Sequence, residues 1–237
     1  FTRLPGNYKE KVRPEVWDLS RHSSGISIRF ATNSPRIDVK WKTGNKVHYP
    51  HGGETMVKGV DLYCLQNNKW FYAGVGKPYD PENNESVLIK DMDSSMKEFT
   101  LYLPMYETVD SVYIGVQRGS VISKPVNGLF RKKPPVVFYG TSITQGASAM
   151  RPGMGYPAII SRHLNIETIN LGFSGNGKME KELAEALSEI DASCYVIDCG
   201  GNLTPQLAKE RTLPFIRLLR KNRPGIPILF VEHLIFP

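Results

Sequence analysis

"PVVFYGTSITQGAS", running from Pro135 to Ser148, sets Val136, Val137, Phe138 and Tyr139 in a row ahead of Gly140, Thr141, Ser142 and a polar turn. An unbroken apolar run of this length predicts a parallel strand covered on both faces. Its end presents a hydroxyl. Ser142 is then either a turn residue or a nucleophile held at a strand tip, and the segments on either side bear on the choice.

Downstream, strand and helix patterns alternate. A helix is expected at Tyr156 to His163, and "ETINLG" (Glu167 to Gly172) reads as a second strand. In "KMEKELAEALSEID", Met179, Leu183, Leu187 and Ile190 recur at helical spacing, with Glu182, Glu185 and Glu189 opposite. "CYVIDCGG" (Cys194 to Gly201) is a third strand. "TLPFIRLLRKNRPG" predicts a helix capped by Thr212, with Pro214 in its first turn, and "PILFVEH" (Pro227 to His233) is a fourth strand. This alternation predicts a doubly wound parallel sheet with right-handed crossovers. Such sheets bind ligands beyond the carboxyl ends of their strands.

Upstream the period changes to two. "GISIRF" puts Ile26, Ile28 and Phe30 on one side, "RIDVKW" does the same with Ile37, Val39 and Trp41, and "KEFTLYL" and "SVYIGV" repeat the pattern. Turn signals separate these runs, and no helical window interrupts them. The reading is an antiparallel β-sandwich, jelly-roll-like, over residues 1–130, followed by the α/β unit over 134–237. The stiff "FRKKPP" junction lies between them.

Composition narrows the classes. Apolar residues make up 41% of the 237 and charged residues 22%, as in globular proteins. No apolar run reaches the ~18 residues of a membrane span. The net charge of +7 is spread along the chain, apart from Arg131, Lys132 and Lys133 at the junction, and no basic stripe carries the interleaved aromatics of a nucleic-acid binder. Cys194 and Cys199 lie five residues apart on one strand, on opposite faces and ~16 Å apart, too far for a disulfide. Neither has metal-ligand spacing, and no cofactor or metal is implied. The chain opens at Phe1 without an initiator Met or a signal-like segment, as a processed or trimmed chain does.

Three turns fall at the carboxyl edge of the sheet: "GTSITQG" with Ser142, "NLGFSGNGK" with Gly172, Gly175 and Gly177, and "CGGNL" with Asn202. His233 ends the fourth strand on the same edge. Two chemistries compete for these turns. "GFSGNGK" fits the phosphate-cradling G-x-x-x-x-G-K, and Asp198 would then stand near a magnesium ion. Against this, Met179 occupies the position that needs Ser or Thr, and a thioether is a poor ligand for a hard cation. The other chemistry uses all three turns. Ser142 supplies a nucleophilic hydroxyl, and its N–H, a glycine N–H and the Asn202 amide supply donors for a developing oxyanion. Taken singly, Ser142 also reads as a helix cap, and Gly175 and Asn202 as turn formers.

"YGTSITQG", "NLGFSGNG" and "CGGN", in this order on successive strands, resemble the first three motifs of the SGNH hydrolases, also called GDSL esterases. "GVDLY" (Gly59 to Tyr63) resembles the GxDLY module that precedes such a domain in bacterial proteins. The resemblance implies a flavodoxin-like three-layer α/β/α hydrolase domain. It also implies Ser142 as nucleophile and Gly175 and Asn202 as oxyanion-hole donors. Thr141 replaces the family's usual aspartate, and Leu203 stands where aspartate is common after Asn202. The family's D-x-x-H motif, which supplies the base and its carboxylate, does not occur before Pro237. The chain is therefore expected to be a fragment with weak activity or none, and His233 to be a structural residue or substrate contact rather than a substitute base.

The implied reaction is removal of short acyl groups, such as acetyl, from a carbohydrate or similar ester through an acyl-serine. The implied partner is a small acyl ester or acylated carbohydrate, and the implied location extracytoplasmic. Trp41, Trp70, Phe71 and Tyr72 are candidates for a sugar platform, with core packing accounting for at least two of them. A phosphate-binding protein and a non-catalytic carbohydrate binder on a decayed hydrolase scaffold are the alternatives. Oligomeric state is not readable.

Overall fold

Period-two strands bury one face each, so they need a second sheet to close the core. The computed structural model describes residues 1–44, 49, 52–125 and 133–233. In it the first half forms two antiparallel sheets. Its elements are α1 (Pro14–Ser20), β1 (Ser27–Thr32), β2 (Ile37–Thr43), α2 (Glu54–Val57), β3 (Val60–Gln66), β4 (Lys69–Gly76), β5 (Asn83–Ile89), β6 (Lys97–Tyr102), β7 (Val109–Val116) and β8 (Ile122–Ser123). One sheet has the order β4-β3-β6-β1-β8 and the other β5-β2-β7. Phe30, Ile37, Val39, Trp41, Leu62, Phe99 and Leu101 fill the space between them. Trp41 is 2% exposed and satisfies its indole by donating to Lys58 O at 2.8 Å, so it belongs to the core and is unavailable as a sugar platform. Trp70 donates to Asn165 Oδ1 at 2.9 Å, across to the second half.

The second half contains β9 (Val136–Gly140), α3 (Ser142–Gln145), α4 (Tyr156–Leu164), β10 (Thr168–Gly172), α5 (Lys181–Ser188), β11 (Cys194–Asp198), α6 (Pro205–Asn222) and β12 (Ile228–Phe230). All pairings are parallel, in the order β10-β9-β11-β12. The first strand of the unit is therefore internal and flanked by the second and third. Gly140 is in register with Gly172 on one side and with Asp198 on the other. Three chains thus leave the sheet at one level, each ~4.8 Å from its neighbour.

Three expectations need correction. The first half is not free of helix. Moreover Leu4, Tyr8, Val12 and Val16, before and within α1, pack with Val137, Tyr139, Phe173 and Leu183 in the core of the α/β half. The first twenty residues therefore belong physically to the unit that follows the sandwich. The helix expected from Thr212 begins at Pro205, because the Thr204 hydroxyl accepts from Leu207 N–H at 3.2 Å and Pro205 opens the first turn. Pro214 lies inside α6 on its exposed side, where water can satisfy the carbonyl that loses its donor. Met179 precedes α5 and has φ 52°, although its side chain is buried as expected. The basic cluster at Arg131 and Lys132 lies outside the described residues.

Among the contacts that join the halves, three bear on the site. Tyr63 and Tyr102, on the outer face of the larger sheet, pack against Ala158 of α4. Met56, Val57, Met105 and Tyr106 meet Ala147 and Ala149. Asp61 of β3 pairs with Arg151 at 3.1 Å.

Candidate active site

Thr141 is the N-cap of α3, and its hydroxyl accepts from Ile143 N–H at 3.3 Å. Ser142 is consequently the first helical residue. The capping role that a bland reading gave to Ser142 is filled by its neighbour, and Thr141 in place of aspartate does the work of a cap. Ser142 is half-buried, and among the described residues neither its hydroxyl nor its N–H meets a protein partner. An N–H at this helical position has no intrahelical acceptor. The Ser142 carbonyl is heavily used: it accepts from Gly146 N–H at 2.9 Å, Ala147 N–H at 2.8 Å and the Tyr106 hydroxyl at 3.2 Å. The turn that carries the serine is thus held from behind, partly by a side chain of the sandwich.

The second turn is pinned at two points. Ser174 N–H donates to Gln145 Oε1 at 2.9 Å, and Gly177 N–H donates to Asn202 Oδ1 at 3.1 Å. Between them Gly175 adopts φ +70°, the left-handed conformation in which a side chain is strained. Its N–H has no acceptor among the described residues, and a methyl group there would meet no atom within 4 Å. Gly177 is needed for a different reason, since a Cβ there would overlap the Gly140 carbonyl oxygen. The second turn therefore lies directly against the tip of β9.

The bond from Gly177 settles which way the Asn202 amide faces. Its oxygen must point at that N–H, so its NH2 group points elsewhere as a donor. Below the tips, Thr144 Oγ1 and the Tyr156 hydroxyl both reach Asp198 Oδ2, at 3.0 and 3.1 Å, and approach each other at 3.1 Å. Burial, chiefly, raises the Tyr156 hydroxyl above its ordinary range. Asp198 is therefore a structural acceptor here. The phosphate-loop reading fails on geometry as well: α5 starts only at Lys181, and Glu180, a carboxylate, sits at its cap. Among the described residues no group of three His, Cys, Asp or Glu could hold a metal ion. No helix of the described residues is long and apolar enough to cross a membrane. Cys64, Cys194 and Cys199 are free thiols.

His233 lies on the same edge. Its ring faces Gly201, where a Cβ would stand 3.2 Å from Nδ1, next to Asn202. His22 and Gln145 were not singled out from the sequence. Gln145 is fully buried and donates to Met105 O at 3.1 Å, with His22 Nδ1 3.2 Å from the same amide nitrogen. Burial pushes His22 down to about 4; Arg3 and Arg21 act in the same direction and Asp18 opposes them. In the sequence Gln145 was one more residue of the polar turn after Ser142, because its partners His22 and Met105 lie 123 and 40 residues away.

The profile of the GDSL-like lipase/acylhydrolase family matches residues 132–236, and that of the GxDLY family, the N-terminus of SGNH-hydrolase-type esterases, matches residues 1–122. A candidate GDSL-like lipase from Bacteroides ovatus is 43% identical over 97% of this chain and 67% of its own, with a TM-score of 0.92. The salicylyl-acyltransferase SsfX3 from a tetracycline biosynthetic pathway is 17% identical over 96% of this chain and 63% of its own, with a TM-score of 0.75. A family two carbohydrate esterase from Clostridium thermocellum, solved with cellohexaose, is 16% identical over 91% of this chain and 73% of its own, with a TM-score of 0.61. The last two share the fold. No curated protein matches. The chain belongs to the GDSL-like lipase/acylhydrolase family, with a GxDLY-type N-terminal half, and is a hydrolase of the esterase/acylhydrolase kind.

Proposed function

We propose that Ser142 is the nucleophile of an SGNH-type esterase that removes short acyl groups from a carbohydrate ester. The observation that carries this reading is the division of labour at the first turn: Thr141 caps the helix and leaves the Ser142 hydroxyl unused at the strand tip. In the reaction Ser142 Oγ bonds to the ester carbonyl carbon and loses its proton to a histidine base. The tetrahedral oxyanion accepts hydrogen bonds from Ser142 N–H, Gly175 N–H and the Asn202 NH2. Its collapse releases the alcohol, which takes the proton, and leaves an acyl-serine that water hydrolyses by the reverse proton transfers. The family resemblance implies a D-x-x-H motif as the source of that base, and His233 serves as a substrate contact beside Asn202. Support for a sugar comes from the fold shared with a cellohexaose-bound esterase and from the ring of Phe71 on β4, 49% exposed. A polymeric carbohydrate substrate suits an extracytoplasmic location.

Labelling of the full-length protein with a fluorophosphonate, alongside hydrolysis of p-nitrophenyl acetate, tests the proposal. Ser142→Ala is expected to abolish labelling and to lower turnover by more than ~1,000-fold. Asn202→Asp keeps an acceptor for Gly177 N–H but has no donor, and is expected to lose ~100- to 1,000-fold in kcat. A wild-type protein that is neither labelled nor active would favour the decayed, carbohydrate-binding scaffold.

A further inference from the structure

The motif "GVDLY" contributes nothing to the three turns of the site, yet it holds a buried carboxylate. Asp61 is 0% exposed near the start of β3, which is paired on both sides. A charge there is costly unless it is fully partnered. Among the described residues, every hydrogen-bond partner outside its own strand comes from one segment of the other half. Arg151 Nε lies 3.1 Å from Oδ1, and Gly153 N–H donates to Oδ2 at 2.9 Å. Tyr63, two residues along the strand, places its hydroxyl 3.3 Å from Oδ2.

The same short segment is gripped from its other side. Arg162 donates to Gly153 O at 2.7 Å while its guanidinium stacks 3.7 Å from the Tyr63 ring centroid. Both ends of the Gly153 residue are therefore bonded, one to the sandwich and one to α4. A Cβ at this glycine would overlap the Tyr63 ring. Arg151 in turn stacks over Tyr72 at 4.3 Å. Together Asp61, Tyr63 and Tyr72 form a socket shaped for residues 151–153.

Three residues beyond Gly153 the chain reaches Tyr156, whose hydroxyl bonds Thr144 and Asp198. Thr144 follows Ser142 by two residues on α3, and Asp198 ends the strand that leads to Asn202. A continuous set of bonded groups thus runs from the sandwich to the first and third turns.

We infer that Asp61 is a positioning residue for acyl transfer at Ser142, acting through the 151–156 segment, and that this is the chemical role of the GVDLY motif. The inference rests on the esterase reading above. Burial, the largest influence, raises Asp61 to about 6; Arg151, Gly153 N–H, Tyr63 and Arg162 all hold it down. Arg151, Arg162 and Tyr63 are the charged and titratable groups that face it. The carboxylate therefore stays ionised at neutral pH because the socket is occupied, which couples docking of the segment to its charge state.

The test compares Asp61→Asn, Arg151→Met and the double variant with wild type in the full-length protein. Rates are normalised to fluorophosphonate-labelled sites, so that unfolded molecules do not count. Each single variant is expected to lose ~10- to 100-fold in kcat on p-nitrophenyl acetate with KM changed less than ~3-fold, because a displaced nucleophile is felt in the transition state. The double variant is expected to be no worse than the poorer single one, since both remove the same link. Amide hydrogen exchange at residues 151–156 is expected to accelerate in each. If Asp61→Asn does not fold, Arg151→Met carries the same comparison. Variants that melt earlier but keep kcat per labelled site within ~2-fold overturn the inference and leave Asp61 a stabilising residue only. Wild-type protein that is unlabelled overturns the esterase reading and the positioning role with it. Unchanged exchange in an active enzyme sinks the positioning role alone.

Discussion

At one seam of this molecule a cation gathers carbonyl groups; at the other an anion gathers N–H groups. Arg3 donates to Leu19 O at 2.6 Å, His22 O at 2.9 Å, Asn170 O at 3.1 Å and Gly172 O at 2.7 Å, and stacks over Phe173 at 4.9 Å. The residue is partly open to solvent, but its guanidinium is enclosed, and burial pushes it down to about 9. Among the described residues no salt bridge joins it to a carboxylate. Asp61 works in the opposite sense, with a backbone N–H and Arg151. The two seams also serve different parts of the site. Arg3 braces the end of β10, from which the second turn departs, whereas Asp61 braces the segment leading to Tyr156 and so the first and third turns.

The comparison is most directly broken at Arg3. Arg3→Met withdraws a donor from four carbonyl oxygens, of which Leu19 O keeps His22 N–H at 3.1 Å, and an orphaned acceptor costs ~1–3 kcal/mol when water cannot reach it. A loss on the order of 4 kcal/mol in urea unfolding is expected. A loss below ~1 kcal/mol would mean that water replaces the guanidinium freely.

A second measurement sharpens the contrast through pH. His22, behind the first seam, is depressed from 6.5 to about 4, so its contribution is complete above pH 6.5 and is lost as pH falls through about 4. Asp61 is raised from 3.8 to about 6, so its contribution is complete below 3.8 and is lost as pH rises through about 6. The two slopes oppose each other in the same window. Asp61→Asn removes one of them. Between pH 6.5 and 4 the variant is expected to lose ~2 kcal/mol more stability on acidification than wild type. Parallel curves for the two proteins would show that Asp61 is not raised.

The smallest effect is expected at Tyr106, whose hydroxyl reaches Ser142 O at 3.2 Å from the sandwich side. Tyr106→Phe removes one neutral hydrogen bond to a carbonyl that keeps two others, and ~1 kcal/mol in thermal or urea melts is the expected cost. A much larger loss of kcat than of stability would place Tyr106 with Asp61 as a residue that sets the serine.

Much of this architecture was legible from local pattern. The change from period two to continuous apolar runs marked the two halves, and the run before Gly140 marked the central strand. The three turns could be placed at one edge because parallel strands end together. What the pattern could not carry were pairings between distant residues. Asp61 was readable only as part of a family signature, since Arg151 and Gly153 lie 90 and 92 residues away. The apolar spacing of Val12 and Val16 was present, but nothing nearby tells that their partners are Val137 and Leu183. The start of α6 was missed for a different reason. Pro214 suggested a first turn, while the Thr204–Pro205 pair, an equally good start signal, lay nine residues earlier.

The placement of the first twenty residues sets an order of events during synthesis. Arg3 leaves the ribosome long before Asn170, from which it is separated by 167 positions. The strands between Ser27 and Ser123 can pair while Leu4, Tyr8, Val12 and Val16 still lack the surface that covers them. Closure of this long loop comes last and is slow, as contacts of high sequence separation are. Until then the nascent chain carries an uncovered greasy strip ahead of the sandwich strands, which makes that strip the natural hold for a chaperone.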